Sequence, residues 1–366
     1  MAHHPATRLI LKQTTIIRDR LLPPHVYGRI TVKIDDEVTA RKVVAQGEAS
    51  EEFRIVDIVE AMGLDPSDSD KIAAMIRVGQ GETVEAGDLL IEPRNRRQKK
   101  RGPKAPANGV VSLIENGRII LQIDPKPVVV YARVPGVVQA PLGEDGERGV
   151  QIRTQGALIQ GAWGNGRFAF APYNMEPTAG LISLRQHESL LESIKGQVYV
   201  LERPITPADL RIVVEKELGG LVAPSMPFYL RETAMMLKVP IILTEGFGQR
   251  KPTTRAYEIL REFERQREGA FDATMPERWQ RGRPEIVLPA GLVQPPPPPN
   301  LQTPLKVGAT VRLRREPYDG LIGQVVALPD TLRRLENGLQ VQAADIKLRI
   351  GSIVTVPLAN LEVLGD

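Results

Sequence analysis

The stretch GQVYVLERPITPADLRIVVEKELGGLVAPS (residues 196–225) contains two apolar runs, separated by a segment in which apolar residues recur with helical spacing. The apolar run at its start predicts a strand, and the three-to-four-residue spacing over 204–218 predicts a helix. Thr206 suits the N-cap of that helix, Pro207 suits its first position and Asp209 suits its first turn. The closing apolar run predicts another strand. The order strand, helix, strand predicts parallel strands joined by a right-handed crossover.

The same pattern continues downstream, with a helix predicted over 228–239, a strand over 240–248 and a helix over 253–268. The run resembles the swivelling β/β/α domain of phosphoenolpyruvate-utilising enzymes. Those enzymes carry a phosphohistidine after the second strand, where this chain has Tyr229. The four histidines stand elsewhere, at His3, His4, His25 and His187. The resemblance therefore implies the fold without phosphoryl transfer by histidine.

The third predicted strand ends in a loop that is a candidate ligand site. Ligands of open parallel sheets bind beyond the carboxyl ends of the strands, and glycines free backbone N–H groups for an anion. The candidate residues are Thr244, Glu245, Gly246, Phe247 and Gly248. The alternative is a plain glycine turn into the next helix. Glu245 would repel a phosphate unless it pairs with Arg250 or Lys251.

An aromatic, glycine-rich segment precedes the α/β run. Asn165-Gly166 predicts a hairpin turn, because this dipeptide tolerates the positive φ angles of tight hairpins. Trp163 is one of only two tryptophans. It is predicted either to stack on a ligand or to be buried between domains.

The N-terminal part contains two pairs of internal repeats. Residues 30–47 match residues 76–93, and residues 108–122 match residues 135–153. Alternating apolar residues around turns of Gly, Asn, Asp and Glu predict β-hairpins in each. Residues 51–76 interrupt them with helical spacing, which predicts a helical insertion.

One of these repeats carries the pattern V-x-x-G-x-x-V-x-x-G-D-x-L. Its residues are Val78, Gly81, Val84, Gly87, Asp88 and Leu90. The motif A-P-x-x-G-V-V follows, from Ala105 to Val111. The combination resembles the barrel-sandwich hybrid of biotinyl and lipoyl carrier domains over residues 76–122, with residues 28–47 as a symmetric partner.

The basic loop, EPRNRRQKKRGPKAP at residues 92–106, stands where a carrier domain presents its modified lysine. Its basic residues are Arg94, Arg96, Arg97, Lys99, Lys100, Arg101 and Lys104. Lys99 and Lys100 lack the Met-Lys context of a carrier, so neither biotin nor lipoate is expected. The whole chain carries a net charge of only +4. The positive charge is therefore local, and phosphate is its natural counter-charge.

The sequence QPPPPPN at residues 294–300 predicts a polyproline II spacer, with binding to an SH3-like groove as the alternative. The segment after it resembles the KOW motif of NusG-like transcription factors and certain ribosomal proteins. The matched residues are Gly308, Val311, Gly320, Gly323 and Val325. The resemblance implies a small SH3-like barrel.

KOW modules bind RNA, ribosomal proteins or RNA polymerase. Arg312, Arg314 and Arg315 stand beside the characteristic loop, and Tyr318 is available for stacking on a base. The alternative is that Arg312 and Arg314 form the polar face of an alternating strand, or that the barrel serves protein contacts alone.

Composition narrows the function further. The chain has no Cys, which excludes disulfides, thiolate metal sites and a Cys nucleophile. The sequence shows no serine-hydrolase elbow, phosphate-binding Walker loop or zinc-binding His-Glu-x-x-His motif. We therefore predict no catalytic residue, no metal and no cofactor. No apolar run approaches the length of a membrane span, and a cytoplasmic location is expected.

Together these patterns predict a multidomain, mostly β chain with one α/β domain. The predicted parts are an N-terminal arm (1–27), a barrel-sandwich hybrid (28–133), a β-rich connection with the swivelling-type α/β domain (134–293), a polyproline linker (294–300) and a KOW SH3-like barrel (301–366). The predicted function is a non-enzymatic cytoplasmic adaptor that contacts RNA or a large ribonucleoprotein or polymerase complex. The alternatives are a ligand-binding or accessory enzyme subunit and a purely structural assembly subunit.

Overall fold

The computed structural model describes the chain except for residues 1–5, 25, 50–51, 66–68, 93–101, 124–125, 144–146, 186–193, 265–267, 276–281, 292–295, 300–304, 336–337 and 366. Strands account for 46% and helices for 15% of the structure. The predicted mostly β class is therefore confirmed.

The strands are numbered in chain order. They are β1 (Ala6–Leu21), β2 (Tyr27–Ile30), β3 (Glu37–Val38), β4 (Val43–Ala49), β5 (Glu52–Asp57), β6 (Thr83–Val84), β7 (Gly109–Glu115), β8 (Arg118–Ile123), β9 (Lys126–Tyr131), β10 (Gly136–Leu142), β11 (Gly149–Gln160), β12 (Trp163–Gly164), β13 (Phe168–Ala171), β14 (Tyr173–Met175), β15 (Val198–Val200), β16 (Gly220–Met226), β17 (Ile241–Phe247), β18 (Gly269–Asp272), β19 (Glu285–Pro289), β20 (Thr310–Leu313), β21 (Ile322–Ala327), β22 (Arg333–Arg334), β23 (Gln340–Val341), β24 (Ala343–Leu348), β25 (Ile353–Pro357) and β26 (Leu361–Gly365). The helices are α1 (Ile58–Met62), α2 (Ser69–Ala73), α3 (Pro207–Glu215), α4 (Arg231–Met236) and α5 (Thr254–Phe263), with single 3₁₀ turns at Leu181–Arg185, Phe228–Leu230 and Leu358–Asn360.

The chain divides into two compact units. Unit 1 comprises Met1–Ile17, Arg133–Gly136 and Arg153–Asp366, and unit 2 comprises Arg18–Ala132 and Val137–Ile152. Unit 1 therefore contains both the α/β segment and the C-terminal segment that follows the prolines. The separate domains predicted from the sequence for these two segments stay a prediction.

Unit 1 contains the predicted parallel sheet. Its order is β12-β17-β16-β15-β14, with β14 to β17 parallel and β12 antiparallel at one edge. The predicted strands, their parallel pairing and the intervening helices are confirmed. Thr206 caps α3 with a reciprocal capping box to Asp209, and Pro207 begins the helix. These local hydrogen bonds satisfy N–H groups that a helix start leaves unpaired.

Both faces of the parallel sheet are covered, so its strands are apolar on both sides. On one face Tyr199 and Leu221 pack in a cluster with Leu210 of α3 and Ala234 of α4. On the other face, Val200 packs in a second cluster that contains α5 and strands of another sheet. Burial on both faces explains the continuous apolar runs from which the sheet was predicted.

That other sheet of unit 1 has the order β13-β18-β19-β11-β1-β26-β20-β21-β24-β25. Its C-terminal strands pack around a core of Val311, Leu313, Val325 and Ile346. Strand β26 pairs in parallel with β1, with Ala6 opposite Glu362. The two ends of the chain therefore meet as neighbouring strands.

In unit 2, strands β2-β4-β9 form one sheet and β5-β8-β7-β6 form another. The two sheets share one antiparallel register. Ala49 of β4 lies opposite Lys126 of β9, and Glu52 of β5 lies opposite Ile123 of β8. The prediction that residues 51–76 are a helical insertion was wrong for Glu52–Asp57, which form β5. The β-branched pair Ile55-Val56 and the full ladder to β8 favour the strand over the helix there. Helices α1 and α2 follow it.

The internal repeat predicted in unit 2 is visible as matching backbone hydrogen bonds. In one copy, Gly81 N donates to Val111 O (2.8 Å), Val111 N donates to Glu82 O (2.9 Å) and Ala105 N donates to Asp88 O (2.8 Å). In the other copy, Asp35 N donates to Val138 O (2.9 Å), Val138 N donates to Asp36 O (3.0 Å) and Ala132 N donates to Lys42 O (2.9 Å). Both turns need a left-handed residue, at φ 84° for Gly81 and 67° for Asp35.

Two of the four Asn-Gly dipeptides of the chain behave differently. Asn116-Gly117, with φ 49° and 76°, closes the hairpin between β7 and β8. The hairpin predicted at Asn165-Gly166 was wrong, because β12 pairs with β17 whereas β13 pairs with β18 in the other sheet. The Asn165 side chain instead donates to the carbonyls of Ala234 and Val239 and accepts from Ile241 N. These hydrogen bonds tie the Asn165 side chain to the backbone of α4, of β17 and of the segment between them.

Candidate functional site

A cluster of buried charges lies at the carboxyl end of β17 in unit 1. Glu245 is 2% exposed, and Arg8 on β1 binds it with two hydrogen bonds of 3.1 and 3.2 Å. Arg312 on β20 pairs with the same carboxylate at 2.5 Å. The Thr253 hydroxyl, at the start of α5, donates to it at 2.8 Å. One carboxylate thus joins the N-terminal strand, the parallel sheet, α5 and a C-terminal strand.

A second buried carboxylate, Glu362 on β26, completes this cluster, which we call the arginine cluster. Its oxygens lie 3.7 Å from Arg8, 3.4 Å from Arg312, 3.2 Å from Arg283 and 3.8 Å from Arg314. The side chain of Glu362 is 1% exposed. Arg314 is more than a third exposed, so the cluster reaches from the interior of unit 1 to solvent.

Electrostatics keep this cluster ionised. Burial by itself would raise the pKa of Glu245, but Arg8, Arg312 and the Thr253 hydroxyl outweigh burial and hold that pKa below its usual range. Burial opposes the charge of Arg8, yet Glu245 and Glu362 raise its pKa. For Arg312, burial prevails and lowers the pKa. Multiple partners for each charge offset the desolvation that burial imposes.

The arginine cluster changes the predicted ligand site at residues 244–248. The Glu245 carboxylate is occupied by protein partners, and these are Arg8 and Arg312 rather than Arg250 or Lys251. Thr244 is fully buried, and the Gly248 N–H donates to Met226 O at 2.9 Å. Phe247 packs against Trp163 and Phe228, with ring centroids 5.3 and 5.1 Å apart. Gly246 lies within β17, opposite Ser225 of β16.

The KOW candidates also separate by burial. The Arg312 side chain is 3% exposed and bound to two carboxylates, which leaves it no surface to offer RNA. Tyr318 is half-buried and packs against the core of the C-terminal strands. Arg315 is half-buried and Arg314 is exposed. Arg312 lies on β20 but is buried, so it forms no exposed polar face of that strand, and Arg314 directly follows the end of the strand.

A cavity of about 410 Å³ opens at the carboxyl ends of β14 and β15. It is lined by Met175, Glu176, Pro177, Thr178, Gly180, Glu202, Arg203 and Arg261. Arg203 binds both oxygens of Asp209, at 2.7 and 2.9 Å, and also pairs with Glu176 at 2.5 Å. Sequence reasoning missed this cavity, although Glu202-Arg203 directly after a buried strand was an available signal.

An exposed apolar patch follows β16. Phe228 is 67% exposed, Tyr229 is 70% exposed and Met236 is 79% exposed. Tyr229 is the residue that stands near the phosphohistidine position of the swivelling-domain resemblance. Its hydroxyl is accessible, and no histidine accompanies it among the described residues of this segment.

Most of the basic loop lies outside the described residues, namely Arg94, Arg96, Arg97, Lys99, Lys100 and Arg101. Lys104 is described and exposed, and its backbone bridges to Leu89. The two ends of the loop are tied together, since Leu90 N donates to Pro103 O at 3.1 Å and Gly87 N donates to Ala105 O at 2.8 Å. Leu90 and Ala105 are themselves buried. The loop therefore begins and ends on a fixed base.

In the described part of the chain, no three His, Asp or Glu side chains come together as a metal site would require. Within that same part, no helix has both the length and the apolar character needed to cross a membrane. The sequence matches no model of a known protein family, and no curated protein matches it significantly.

Proposed function

We propose that the chain is an adaptor that binds a phosphate-rich partner, RNA or a ribonucleoprotein, through the basic loop at residues 92–106. The observation that carries this proposal is the concentration of seven basic residues and one acidic residue in fifteen positions. The rest of the chain is nearly neutral. Lysine and arginine that neutralise phosphates release counterions, which drives association at low salt.

The base of the loop supports this role. Backbone hydrogen bonds join Leu90 to Pro103 and Ala105 to Asp88, and the side chains beside them are buried in the core of unit 2. A rigid base reduces the entropy that a binding loop loses when it meets its partner. Loops positioned by a rigid scaffold are common binding elements.

Folding does not account for the charge of the loop. Seven like charges so close in sequence repel one another, and salt screens that repulsion over about 8 Å at physiological strength. The charges are tolerated without stabilising the fold. A polyanionic partner gives them a function that the fold does not.

The C-terminal segment has a smaller part in this proposal than the KOW resemblance implies. Arg312 is buried against Glu245 and Glu362, and Tyr318 packs on the core. Arg314 and Arg315 remain as accessible candidates there. The basic loop is accordingly the principal contact, and the C-terminal strands provide a minor one.

The test is a variant with Gln at Arg96, Arg97, Lys99, Lys100 and Arg101. Its affinity for single-stranded RNA, measured by fluorescence anisotropy across a salt series, should fall, and the slope of log K against log salt should flatten by up to about 3.5. Its melting temperature should stay nearly unchanged. The matched control has Gln at five exposed bases elsewhere: Lys195, Arg211, Lys238, Lys251 and Arg349.

The control variant should bind RNA nearly as well as the wild type. Equal losses in the two variants would show that net charge, rather than the loop, determines binding. A wild-type chain that binds neither RNA nor an acidic protein at low salt would leave the loop as a solubilising hairpin and refute the proposal.

A further inference from the structure

The arginine cluster contains more positive than negative charge. Glu362 is shared by Arg8, Arg283, Arg312 and Arg314, and two of these four also bind Glu245. Among the described ion pairs of this cluster, four guanidiniums face two carboxylates, which is a formal excess of two positive charges. The neighbouring Arg250–Asp319 pair adds one charge of each sign and leaves that excess unchanged.

The excess charge is concentrated on Arg283 and Arg314. Arg8 and Arg312 each have close contacts to both carboxylates. Within the described part of the chain, Arg283 pairs with Glu362 at 3.2 Å, and Arg314 pairs with the same oxygen at 3.8 Å. The side chain of Arg283 is 23% exposed and that of Arg314 is 42% exposed. These two cations therefore form the solvent-facing side of the cluster.

Burial makes the excess unfavourable in this position. Desolvation lowers the pKa of Arg283, and the charges of Arg8, Arg314 and Arg312 lower it further, against the opposing effect of Glu362. The buried Nε of Arg312 also has no hydrogen-bond partner in the part of the protein that the structure describes. Buried donors and charges without partners are uncommon in folded proteins because they lose hydration.

We infer that Arg283 and Arg314 bind a phosphate-type dianion at the solvent-facing side of the arginine cluster. A dianion balances an excess of two charges, which a single chloride does not. The planar donor fork of a guanidinium matches the oxygens of phosphate, and two such groups on one oxyanion give directional hydrogen bonds. The same chemistry fits free phosphate and a phosphate ester.

This site shares Arg314 with the minor contact proposed for the C-terminal strands, but it includes no residue of the basic loop. All its residues belong to unit 1 and are described by the structure, whereas the basic loop belongs to unit 2. The expected ligand of this site is also smaller, because the site binds one oxyanion, whereas the basic loop is proposed to bind a polyanionic partner. A chain with Gln at the five loop positions named above should therefore keep the site intact.

The experiment compares inorganic phosphate with chloride at matched ionic strength. Phosphate should raise the melting temperature of the wild type by several degrees, because a ligand that binds only the folded state stabilises it. Isothermal titration calorimetry gives the dissociation constant. In Arg283→Gln and Arg314→Gln variants that constant should rise about tenfold or more, which corresponds to 1.4 kcal/mol or more. Arg349→Gln, an exposed arginine outside the cluster, should bind phosphate as the wild type does.

Arg314→Gln is the deciding variant, because its side chain is the more exposed and Glu362 keeps three guanidiniums without it. Unchanged phosphate affinity in that variant would overturn the inference, as would a wild type that responds equally to phosphate and chloride. Loss of phosphate binding in the five-Gln loop variant would assign the anion to the loop and overturn it as well. Tighter binding of O-phosphoserine than of inorganic phosphate would identify an ester as the natural source, and the reverse would identify free phosphate.

Discussion

Two charged regions of unit 1 each contain a bidentate arginine–carboxylate pair, but the two pairs differ in burial. In the arginine cluster, Arg8 binds both oxygens of Glu245, and both side chains are at most 1% exposed. Beside the cavity, Arg203 binds both oxygens of Asp209 in the same bidentate manner, but the Arg203 side chain is 39% exposed. The first pair has only protein to stabilise its charges, whereas water also solvates the second.

The difference teaches that geometry alone does not set the energetic importance of an ion pair. Breaking a buried pair leaves a charge without water or partner, whereas water compensates the survivor of an exposed one. The two pairs also differ in the distance along the chain between their partners. Arg203 and Asp209 are six residues apart along the chain, and Arg8 and Glu245 are 237 residues apart. The arginine cluster therefore joins elements that sequence reasoning had treated separately.

The largest effect is expected from Glu245→Ala. The substitution leaves Arg8 without its bidentate partner and Arg312 without its shortest contact, so the free energy of unfolding should fall by about 3–5 kcal/mol. Urea denaturation followed by circular dichroism measures it. A loss below about 1 kcal/mol would mean that Glu362 and water replace Glu245, and the comparison would fail.

A pH series sharpens the same point. The arginines around Glu245 hold the pKa of its carboxyl in the folded chain below the 4.5 that is usual for glutamate. A carboxyl with a depressed folded pKa contributes stability that is present above its unfolded pKa and is lost as pH falls through its folded pKa. Wild-type stability should therefore decline below about pH 4.5, and Glu245→Gln should show a shallower decline there. Parallel curves for the two proteins would assign the acid sensitivity to other carboxyls.

An intermediate effect is expected from Asp209→Ala. This residue closes the capping box of α3 and binds Arg203, and Arg203 remains solvated and paired with Glu176 after the change. The loss of unfolding free energy should be about 2 kcal/mol, of which the cap accounts for about 1. Thr206→Ala, which removes the capping hydroxyl and a methyl group but keeps the Arg203–Asp209 pair, is the matched control. Equal losses in the two variants would show that the Arg203 contact contributes nothing.

The smallest effect is expected from Glu262→Ala. Glu262 pairs with Lys12 at 2.7 Å, and both side chains are more than half exposed. Its removal should change the unfolding free energy by about 0.5 kcal/mol or less, and added salt should erase the difference. A loss as large as that of Asp209→Ala would contradict the dependence on burial.

Much of the fold could be predicted because the deciding interactions are local. Thr206, Pro207 and Asp209 lie within four consecutive positions. The capping hydrogen bonds and the dihedral preference of proline therefore act within one helical turn. Asn116-Gly117 closes its hairpin for the same kind of reason, and the buried strands were visible as apolar runs. The turns of the internal repeat also carry their signal locally, in glycines and acidic residues at fixed spacing.

The failures arose where a local pattern had two outcomes. Asn165-Gly166 has the composition of a hairpin turn, yet its flanking strands join different sheets and its amide ties α4 to β17. Residues 52–57 have helical spacing, yet β8 offers a complete ladder to them. In both places the neighbouring strand, rather than the dipeptide or the spacing, determined the structure.

The sequence by itself determined the helices, the parallel strands, the repeated turns and the concentration of charge at residues 92–106, since these depend on neighbours along the chain. Only the tertiary structure decided that β1 pairs with β26 and that Arg312 faces Glu245 and Glu362 instead of solvent. An arginine in an alternating strand has the same sequence signature whether a partner, water or a buried carboxylate lies beside it. Its role depends on the order of strands that are distant along the chain, and no local preference encodes that order.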